Sequence, residues 1–215
     1  MIHSASVIHH TKDGDDLIAH MARVSNPAGQ EKASEASGLI GYLIRHGHWS
    51  PFEMVIMCVE INTTRSIAAQ ILRHRSFSFQ EFSQRYSTVT DLGLPILPEL
   101  RRQDTKNRQN SIDDIDHHDQ QVWLKMVDKH FKQGMDLYSN MIEAGIAKEC
   151  AREVLPMASV SRLYMNGTLR SWIHYCKLRG AEGTQSEHRK IVMDVKKLLR
   201  ECFPKTYIAA AYYMA

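Results

Sequence analysis

The sequence predicts a fold of mixed helices and strands in a single domain spanning residues 1–215. Two patterns support this prediction. Several stretches carry apolar residues three and four positions apart, as one face of a helix does. By contrast, residues 4–11 alternate loosely and residues 54–62 form an apolar run rich in β-branched residues, as strands do. The composition, 43% hydrophobic and 24% charged, is that of an ordinary globular domain with a sizeable core.

The first half of the chain is predicted to alternate strands and helices. The predicted elements are a strand at 4–11, a helix from 13 to about 26, a helix at 31–46, a buried strand at 54–62 and a helix at 64–72. Asp13 and Thr64 are the predicted N-caps of the first and third helices. Asn26-Pro27 should end the first helix, because proline disfavours the helical conformation of the residue before it. Gly47 is the predicted C-cap of the second helix.

The second half is predicted to be mostly helical. The predicted elements are an extended segment at 83–90, a polar surface excursion at 101–120, a long helix at 119–144, a short helix from about 147 that carries Arg152, a strand at 160–165 and helices at 169–179 and 185–203. Helical spacing predicts that the core stripe of the long helix consists of Val122, Trp123, Met126, Val127, Phe131, Leu137, Tyr138, Met141 and Ile142.

The net charge and the cysteines indicate which partners and which cellular location to expect. The formal net charge of +3 is only mildly basic, so anion binding should be local and a polymeric nucleic acid is not an expected partner. The four cysteines lack CxxC spacing and fall in apolar patterns, which predicts reduced thiols and a cytoplasmic location. No apolar run approaches membrane-spanning length and the N-terminus lacks a hydrophobic leader, so no membrane association is expected.

The histidine pairs do not predict a metal site. His9-His10 and His117-His118 are adjacent in sequence, so their side chains point in different directions on either a helix or a strand. Neither pair has companion ligands at metal-binding spacing, and no metal is expected.

The densest group of polar functional residues lies between residues 73 and 86. It contains, in order, Arg73-His74-Arg75, Glu81, Ser83 and Arg85-Tyr86. Guanidinium groups suit phosphate and planar anions because they donate two parallel hydrogen bonds and keep their charge near neutral pH. The alternative is a solvated face with ordinary ion pairs. Apolar anchors on both sides of the motif favour a cleft-lining loop that binds an anion.

Further cationic residues follow in the second half of the chain. Arg170 and His174 share a helix face, and Arg179 lies at the helix end. The alternative for these residues and for Arg152 is salt bridging with Glu149, Glu153 or Glu187. The sequence has neither GxGxxG nor GxxxxGK[ST], so a bound nucleotide would have to be held by side chains.

Taken together, these motifs resemble those of the flavin-dependent thymidylate synthases. The resemblance is carried by Arg73-His74-Arg75 with seven residues before Ser83-Gln84-Arg85-Tyr86, and by 22–25, 48–53, Gln70, 152–156 and the helix 169–179 followed by 185–187. These segments occur in the family's order from about residue 15 to 205. The resemblance implies an α+β fold in which helices surround an antiparallel-dominated sheet.

The resemblance also implies two sets of ligand contacts. The set implied for FAD is Ser50, Arg73, His74, Arg75, Glu81, Asn166, Arg170 and His174. The set implied for dUMP is Gln70, Arg73, Glu81, Ser83, Arg85, Arg152 and Arg179. Arg179 is the implied catalytic residue, which polarises the uracil ring by stabilising negative charge at N3. This role is physically reasonable, because a guanidinium beside the imide favours the anionic form and enriches C5 in electrons.

The implied reaction is the reductive methylation of dUMP to dTMP. NADPH reduces FAD, methylenetetrahydrofolate supplies the one-carbon unit, and a homotetramer shares its active sites between subunits. Ser83 is interpreted as a nucleotide ligand and not as a nucleophile, because no base at a recognisable spacing would activate it. Two other classes are weighed: a polynucleotide-binding module that stacks bases on Phe77, Phe79 and Phe82, and a histidine-dependent metallohydrolase.

Overall fold

The computed structural model describes residues 2–30 and 36–215 and has an α+β fold, as predicted. The strands are β1 (Ser4–His10), β2 (Ile56–Thr64), β3 (Phe77–Glu81), β4 (Arg102–Gln103), β5 (Ser111–Ile112) and β6 (Val160–Thr168). The helices are α1 (Gly14–Ala22), α2 (Pro27–Gln30), α3 (Ala36–Arg45), α4 (Arg65–Ile71), α5 (His117–Glu143), α6 (Lys148–Ala151), α7 (Leu169–Gly180), α8 (Ser186–Cys202) and α9 (Pro204–Ala210). Short 3-10 helices occur at Ser50–Glu53, Val89–Leu92 and Arg152–Val154.

Four strands form the main sheet in the order β1-β2-β6-β3. The Leu169 N–H donates to the Val55 carbonyl (2.8 Å), and the Arg65 N–H donates to the Ser159 carbonyl (2.9 Å). Since rising numbers along β2 meet falling numbers along β6, these two strands are antiparallel. The remaining strands, β4 and β5, pair as a small antiparallel hairpin. The sheet therefore confirms the antiparallel-dominated architecture.

The described residues divide into two compact units. The first unit contains Ile2, Asn62–Leu72 and Glu81–Leu163, and the second contains the described residues of His3–Ile61 together with Arg73–Gln80 and Tyr164–Ala215. The single domain over residues 1–215 stays a prediction.

The core of the second unit forms around aromatic side chains of α7. Trp172 and Tyr175 are fully buried, and the Trp172 indole Nε1–H donates to the Met57 carbonyl at 2.9 Å. This hydrogen bond satisfies a polar atom that burial would otherwise leave without a partner. Helix α8 packs against both α7 and β1, so α7 is fixed within this unit.

Several predicted element boundaries need correction. The first helix ends at Ala22, not at Asn26-Pro27, and Asp13 adopts a left-handed conformation (φ 53°) without a side-chain capping bond. Helix α3 is described from Ala36, so residues 31–35 of the predicted second helix lie outside the described residues. The C-cap prediction is confirmed, since Gly47 has φ 69°. Thr64 precedes α4, but its hydroxyl contacts Ser66 Oγ (2.9 Å) and caps no backbone N–H.

The extended segment predicted at 83–90 is wrong. Backbone N–H groups of Tyr86 and Ser87 both donate to the Ser83 carbonyl, at 3.1 and 3.0 Å, so the chain turns back at once. The strand lies earlier, at β3, and the turn is followed by the 3-10 helix Val89–Leu92. Local turn hydrogen bonds therefore decided a conformation that residue propensities alone did not reveal.

The second half contains one helix that was not predicted and one confirmed surface segment. Helix α9 follows α8 directly, with Pro204 at its first turn, where proline is tolerated. The excursion at 101–120 is largely exposed and includes the β4–β5 hairpin.

Among the described helices, none has the length and apolar character needed to cross a membrane.

Helix α5 buries only part of its predicted apolar stripe in this chain. Val122, Trp123, Met126 and Leu137 were predicted as core, yet their exposed fractions are 45%, 57%, 58% and 49%. Only Met135 and Tyr138 of this helix are buried. The prediction is confirmed for Tyr138, and Met141 and Ile142 pack against the buried cluster that contains it. For the four exposed residues the prediction of burial within one chain was wrong. An exposed apolar face of this size is typical of a surface that a partner covers.

Candidate functional site

The first unit gathers several predicted dUMP contacts around one cavity of about 260 Å³. Its lining residues are Arg65, Glu81, Phe82, Ser83, Gln84, Arg152 and Ser161. We call this cavity the arginine pocket. Glu81 lies at the end of β3, Arg65 at the start of α4 and Arg152 at the start of a 3-10 helix, so three separate segments contribute side chains. The sequence predicted Glu81, Ser83 and Arg152 and missed the other four.

Hydrogen bonds hold the polar groups of the arginine pocket in place. The buried Ser161 hydroxyl donates to Glu81 Oε1 at 2.7 Å. Arg65 donates from Nη1 to the side-chain carbonyl of buried Gln84. A cation, a carboxylate and neutral hydrogen-bonding groups therefore line the same small space. Such a lining can hold a phosphorylated ligand and also bind polar edges of an attached ring.

A neighbouring cavity of about 310 Å³ lies in the same unit. Its lining residues are Ser83, Arg85, Tyr86, Ala147, Lys148 and Glu149. Ser83 lines both cavities and thus links them. Arg85 Nε lies 2.8 Å from Glu149 Oε2, and both side chains are more than half exposed. An exposed ion pair of this kind contributes at most about 1 kcal/mol, so an anionic ligand can replace the carboxylate at little cost.

Some of the cationic residues form ion pairs, which was the alternative interpretation of their role. Arg85 pairs with Glu149, and Arg152 Nε lies 3.6 Å from Glu153 Oε1. In the second unit Arg170 pairs with Glu53, which was not among the predicted acidic partners. Gln70 is half-buried on α4 and lines neither cavity of the first unit. Several arginines that were predicted to bind ligands therefore also form ion pairs.

The second unit contains an aromatic cleft of about 380 Å³. Its lining residues are Trp49, Glu53, Ser76, Arg170, Ser171, His174 and Tyr213. The Trp49 and Tyr213 ring centroids are 5.3 Å apart, and Lys177 Nζ lies 3.9 Å from the Tyr213 ring centroid. Aromatic faces beside guanidinium and imidazole groups suit a planar ligand that also carries anionic groups.

A second cavity of about 510 Å³ adjoins the aromatic cleft. Its lining residues are Met21, Ala22, Val24, Leu43, Gly47, His48, Trp49, Ser50, Pro51, Glu53 and Arg170. Trp49, Glu53 and Arg170 line both cavities. Three residues of the set implied for FAD, namely Ser50, Arg170 and His174, therefore line this connected space. Sequence reasoning missed Trp49 and Tyr213, although a tryptophan directly before Ser50 was an available signal.

The other residues of the implied FAD set occupy different positions. Arg73 and Arg75 are exposed on the loop before β3. Asn166 lies on β6, and its buried Oδ1 atom accepts no hydrogen bond from the residues that the structure describes. A buried acceptor without a partner carries a desolvation cost that a ligand donor would remove. Glu81 belongs to the first unit.

His74 is held against helix α7 by polar and aromatic contacts. Arg179 Nε donates to His74 Nε2 at 2.9 Å. The His74 ring lies edge-on to Tyr175, with 5.0 Å between centroids, and also contacts Phe77 at 6.4 Å. Phe77 in turn packs closely against Gly167, where an added Cβ would collide with the Phe77 ring. The second residue of the Arg-His-Arg motif is therefore fixed between β3 and α7.

The environment of His74 favours its neutral form. Burial, first of all, and then the neighbouring Arg179, His174 and Arg73 side chains together lower the pKa of His74 to about 4. A neutral imidazole has one unprotonated nitrogen, and here Nε2 must be that atom because it accepts from Arg179. At neutral pH the Arg179–His74 hydrogen bond is therefore fully formed.

Arginines gathered around small polar pockets, together with an aromatic cleft, are typical of a protein that binds phosphorylated aromatic ligands. Residues 6–205 match the family model described as thymidylate synthase complementing protein. The chain belongs to the flavin-dependent thymidylate synthase family, which confirms the resemblance seen in the sequence.

Two curated relatives illustrate the similarity. A probable flavin-dependent thymidylate synthase of Paramecium bursaria Chlorella virus 1 is 48% identical over 198 residues, which cover 92% of this chain and 91% of the relative. The flavin-dependent thymidylate synthase of a Synechocystis species is 50% identical over 197 residues, covering 92% of this chain and 88% of the relative.

A solved structure shares the fold over nearly the whole chain. The crystal structure of a UMP/dUMP methylase, PolB, from Streptomyces cacaoi bound with 5-Br UMP superimposes with a TM-score of 0.86 at 26% identity. The match covers 99% of this chain and 95% of that chain. In the part of the present chain that is described, no group of three or more His, Cys, Asp or Glu side chains could hold a metal ion.

Proposed function

We propose that this protein is a flavin-dependent thymidylate synthase that converts dUMP to dTMP, with methylenetetrahydrofolate as one-carbon donor and NADPH as reductant. Relatives about half identical to this chain carry that activity in their names, and a structural relative was crystallised with a uridine nucleotide analogue. The observation that carries the proposal is the convergence of Glu81, Ser83 and Arg152 in the arginine pocket. In this pocket, a cation that can bind phosphate lies beside polar groups that can bind a pyrimidine.

The residues around the aromatic cleft fit FAD. Ser50, Arg170 and His174 line two adjoining cavities, and Trp49 and Tyr213 provide aromatic faces for a planar ring. Asn166 Oδ1 is a buried acceptor that lacks a donor among the described residues. When bound, FAD would accept hydride from NADPH and supply the hydride that completes the methyl group. The protein's own task is to bind and polarise the reactants.

The residues proposed to bind dUMP are those that the resemblance implies. Glu81, Ser83, Arg85 and Arg152 would hold the nucleotide with charge-assisted hydrogen bonds. Arg179 would donate to the uracil imide and favour its anionic form, which makes C5 electron-rich. Its Nε is used by His74, whereas its terminal nitrogens make no hydrogen bond to the described residues of its own unit. These nitrogens could therefore contact the substrate.

A visible absorbance spectrum of the purified protein tests the proposed function. We expect a yellow preparation that releases FAD on denaturation and oxidises NADPH only when dUMP and methylenetetrahydrofolate are present. A colourless protein that binds polynucleotides in a salt-dependent way would instead support the nucleic-acid module. An activity that a chelator removes would support the metallohydrolase.

The aromatic cleft yields a prediction for FAD affinity. Changing Trp49 or Tyr213 to alanine should weaken FAD binding roughly tenfold, because stacking of a base on an aromatic side chain contributes about 1–3 kcal/mol. The measurement is a titration of flavin-stripped protein with FAD. The matched control is Tyr212→Ala, since Tyr212 is an exposed neighbour that does not line the cleft. Equal FAD affinity in all three variants would exclude the cleft as the binding site.

We further propose that the protein is a cytoplasmic homotetramer whose active sites are shared between subunits. The exposed apolar residues of α5 support this proposal, since a second copy would remove them from water. All four cysteines are free thiols, a state that a reducing cytoplasm maintains.

Placing a charge on α5 should break the tetramer. In Trp123→Asp combined with Met126→Asp, two carboxylates would have to be buried at the interface, so we expect smaller species. Sedimentation velocity measures the mass in solution. Gln121→Asp is the control, because this exposed residue lies on a different side of the same helix. If the double variant keeps the wild-type mass, α5 does not form the interface.

A further inference from the structure

A buried polar pair lies behind Arg179 and has no part in the proposed reaction. The hydroxyl of Tyr175 on α7 lies 2.9 Å from His188 Nε2 on α8, and both residues are 0% exposed. Two titratable groups in a core raise the cost of burial unless they bond to each other. At this position two apolar side chains could have filled the same volume, so the polar pair calls for a physical explanation.

The pair is connected to Arg179 through His74. Tyr175 and Arg179 are four positions apart on α7, so they lie on the same helix face. Between them sits the His74 ring, edge-on to Tyr175 at 5.0 Å between centroids and accepting the Arg179 Nε–H at 2.9 Å. His188 therefore fixes Tyr175, Tyr175 fixes the ring plane of His74, and His74 fixes the guanidinium.

We propose that Tyr175 and His188 are positioning residues that hold His74 as the hydrogen-bond acceptor of Arg179 and thereby orient its guanidinium plane. A free arginine side chain has about 2 kcal/mol of rotamer entropy, and productive geometry requires a reacting group to be held within roughly 0.5 Å. The role assigned to Arg179 rests on the proposed function. The structural part, namely control of the His74–Arg179 hydrogen bond, does not.

The charge state of every group in this network suits that role. Burial, first of all, and then the neighbouring Arg179 and His74 side chains together lower the pKa of His188 to about 3. Burial raises the pKa of the Tyr175 phenol, so it keeps its proton. The groups that face His74 are Arg179 and His174 from α7, Arg73 from its own loop, Tyr175 from α7 and, behind it, His188 from α8. The guanidinium groups of Arg179 and Arg73 are positively charged, so they disfavour protonation of His74.

A double-mutant cycle tests whether Tyr175 acts through Arg179. Tyr175→Phe keeps the ring and removes the hydroxyl, and we expect kcat to fall about tenfold while the KM for dUMP and the FAD affinity change little. Misplacing a catalytic group by about 1 Å can cost roughly 10²-fold, so this estimate is moderate. In an Arg179→Lys background the same change should have no further effect, because non-additivity marks residues that act together.

Variants at two other positions serve as references. His188→Gln keeps a hydrogen-bonding group near the position of Nε2 and should retain most of the turnover, whereas His188→Leu should match Tyr175→Phe. Tyr138→Phe is the control, since Tyr138 in the first unit is also buried and its hydroxyl also accepts one hydrogen bond, from the Val89 N–H at 3.4 Å. This control should leave turnover unchanged.

A ligand-free measurement tests the structural part separately. In ¹⁵N-histidine spectra, with the His74 signals assigned from a His74→Gln variant, His74 should stay neutral down to about pH 4 in the wild type. In Tyr175→Phe the ring should become more mobile and more hydrated, and its titration should move toward the ordinary value of about 6.5. The Tyr138→Phe control should titrate like the wild type.

The outcomes separate this inference from the proposed function. If the wild type shows no dUMP-dependent turnover but Tyr175→Phe shifts the His74 titration, the proposed function fails and the control of His74 holds. If turnover exists and Tyr175→Phe lowers it by the same factor with and without Arg179, the effect is merely structural and the inference is overturned. An unchanged His74 titration in Tyr175→Phe overturns it as well.

Discussion

Replacing Arg179 by lysine should lower dUMP-dependent turnover by roughly 10²-fold or more, because removing one donor that stabilises developing charge typically costs about 10²–10³ in kcat. Lysine keeps the positive charge but lacks the planar fork, so it cannot both donate to His74 Nε2 and present two terminal nitrogens to a uracil ring. The fold should persist, since Arg179 is only half-buried at the end of α7.

Three measurements define this prediction. Steady-state kinetics should show that the loss lies mainly in kcat, release of tritium from C5 of labelled dUMP should fall in parallel, and the thermal midpoint should change little. Arg189→Lys is the matched control, since the Arg189 side chain on α8 donates to the Glu182 carbonyl at 3.4 Å and lines no cavity described above. Wild-type turnover in Arg179→Lys would remove Arg179 from the chemistry.

Changing Arg152 to leucine should weaken dUMP binding by roughly 10- to 100-fold, with a smaller effect on kcat. Arg152 lines the arginine pocket, and its only ion pair among the described residues of that unit is the 3.6 Å contact with exposed Glu153. A hydrogen bond to a charged group contributes about 1.5–3 kcal/mol, which corresponds to this loss of affinity. Leucine keeps much of the side-chain volume, so the pocket should not collapse.

Binding of dUMP to the flavin-loaded protein can be followed by the change in the flavin spectrum or by calorimetry. Arg102→Leu is the control, because Arg102 also forms one exposed ion pair in the first unit, with Asp114 at 3.0 Å, but belongs to the β4–β5 hairpin. The dUMP affinity of this control should equal that of the wild type. Should both arginine variants bind dUMP equally well, the arginine pocket would not be the nucleotide site.

The sequence predicted segments best where local patterns decide the structure. The strand β1, the left-handed conformation of Gly47, and helices α5, α7 and α8 follow from periodicity and end signals. The turn after Ser83 was missed, because two N–H groups that donate to one carbonyl are a property of geometry and not of residue type. Helix α9 was not predicted, and it begins at Pro204 directly after α8.

The candidate site was predicted by residue type but not by arrangement. The resemblance named Glu81, Ser83 and Arg152, which the structure places around one pocket. The same pocket also contains Arg65 and Ser161, which carried no signal in the sequence, and Gln84, which belongs to the recognised motif but was not predicted as a ligand. Likewise Arg170 and His174 were named, but their neighbours Trp49 and Tyr213 lie far from them in sequence. Contacts between distant segments depend on packing, which single-sequence patterns do not encode.

The exposed face of α5 shows most clearly where pattern and structure differ. Helical spacing predicted an apolar stripe, and the stripe exists, but four of its members are largely exposed in one chain. Hydrophobic periodicity indicates that a face avoids water, and it does not say whether the same chain or another copy covers that face. The tetramer proposed above would resolve this difference.

By itself, the sequence determined the family, the α+β class and which side chains are proposed to bind ligands, because motif spacing and residue type are properties of the linear chain. Only the tertiary structure decided which of these side chains share a pocket, that Arg179 donates to His74, and that Tyr175 and His188 support this contact from the core. The physical reason is that hydrogen bonds and ring contacts act over a few ångströms in space, whereas residues that form them, such as His74 and Arg179, can lie more than a hundred positions apart in the chain.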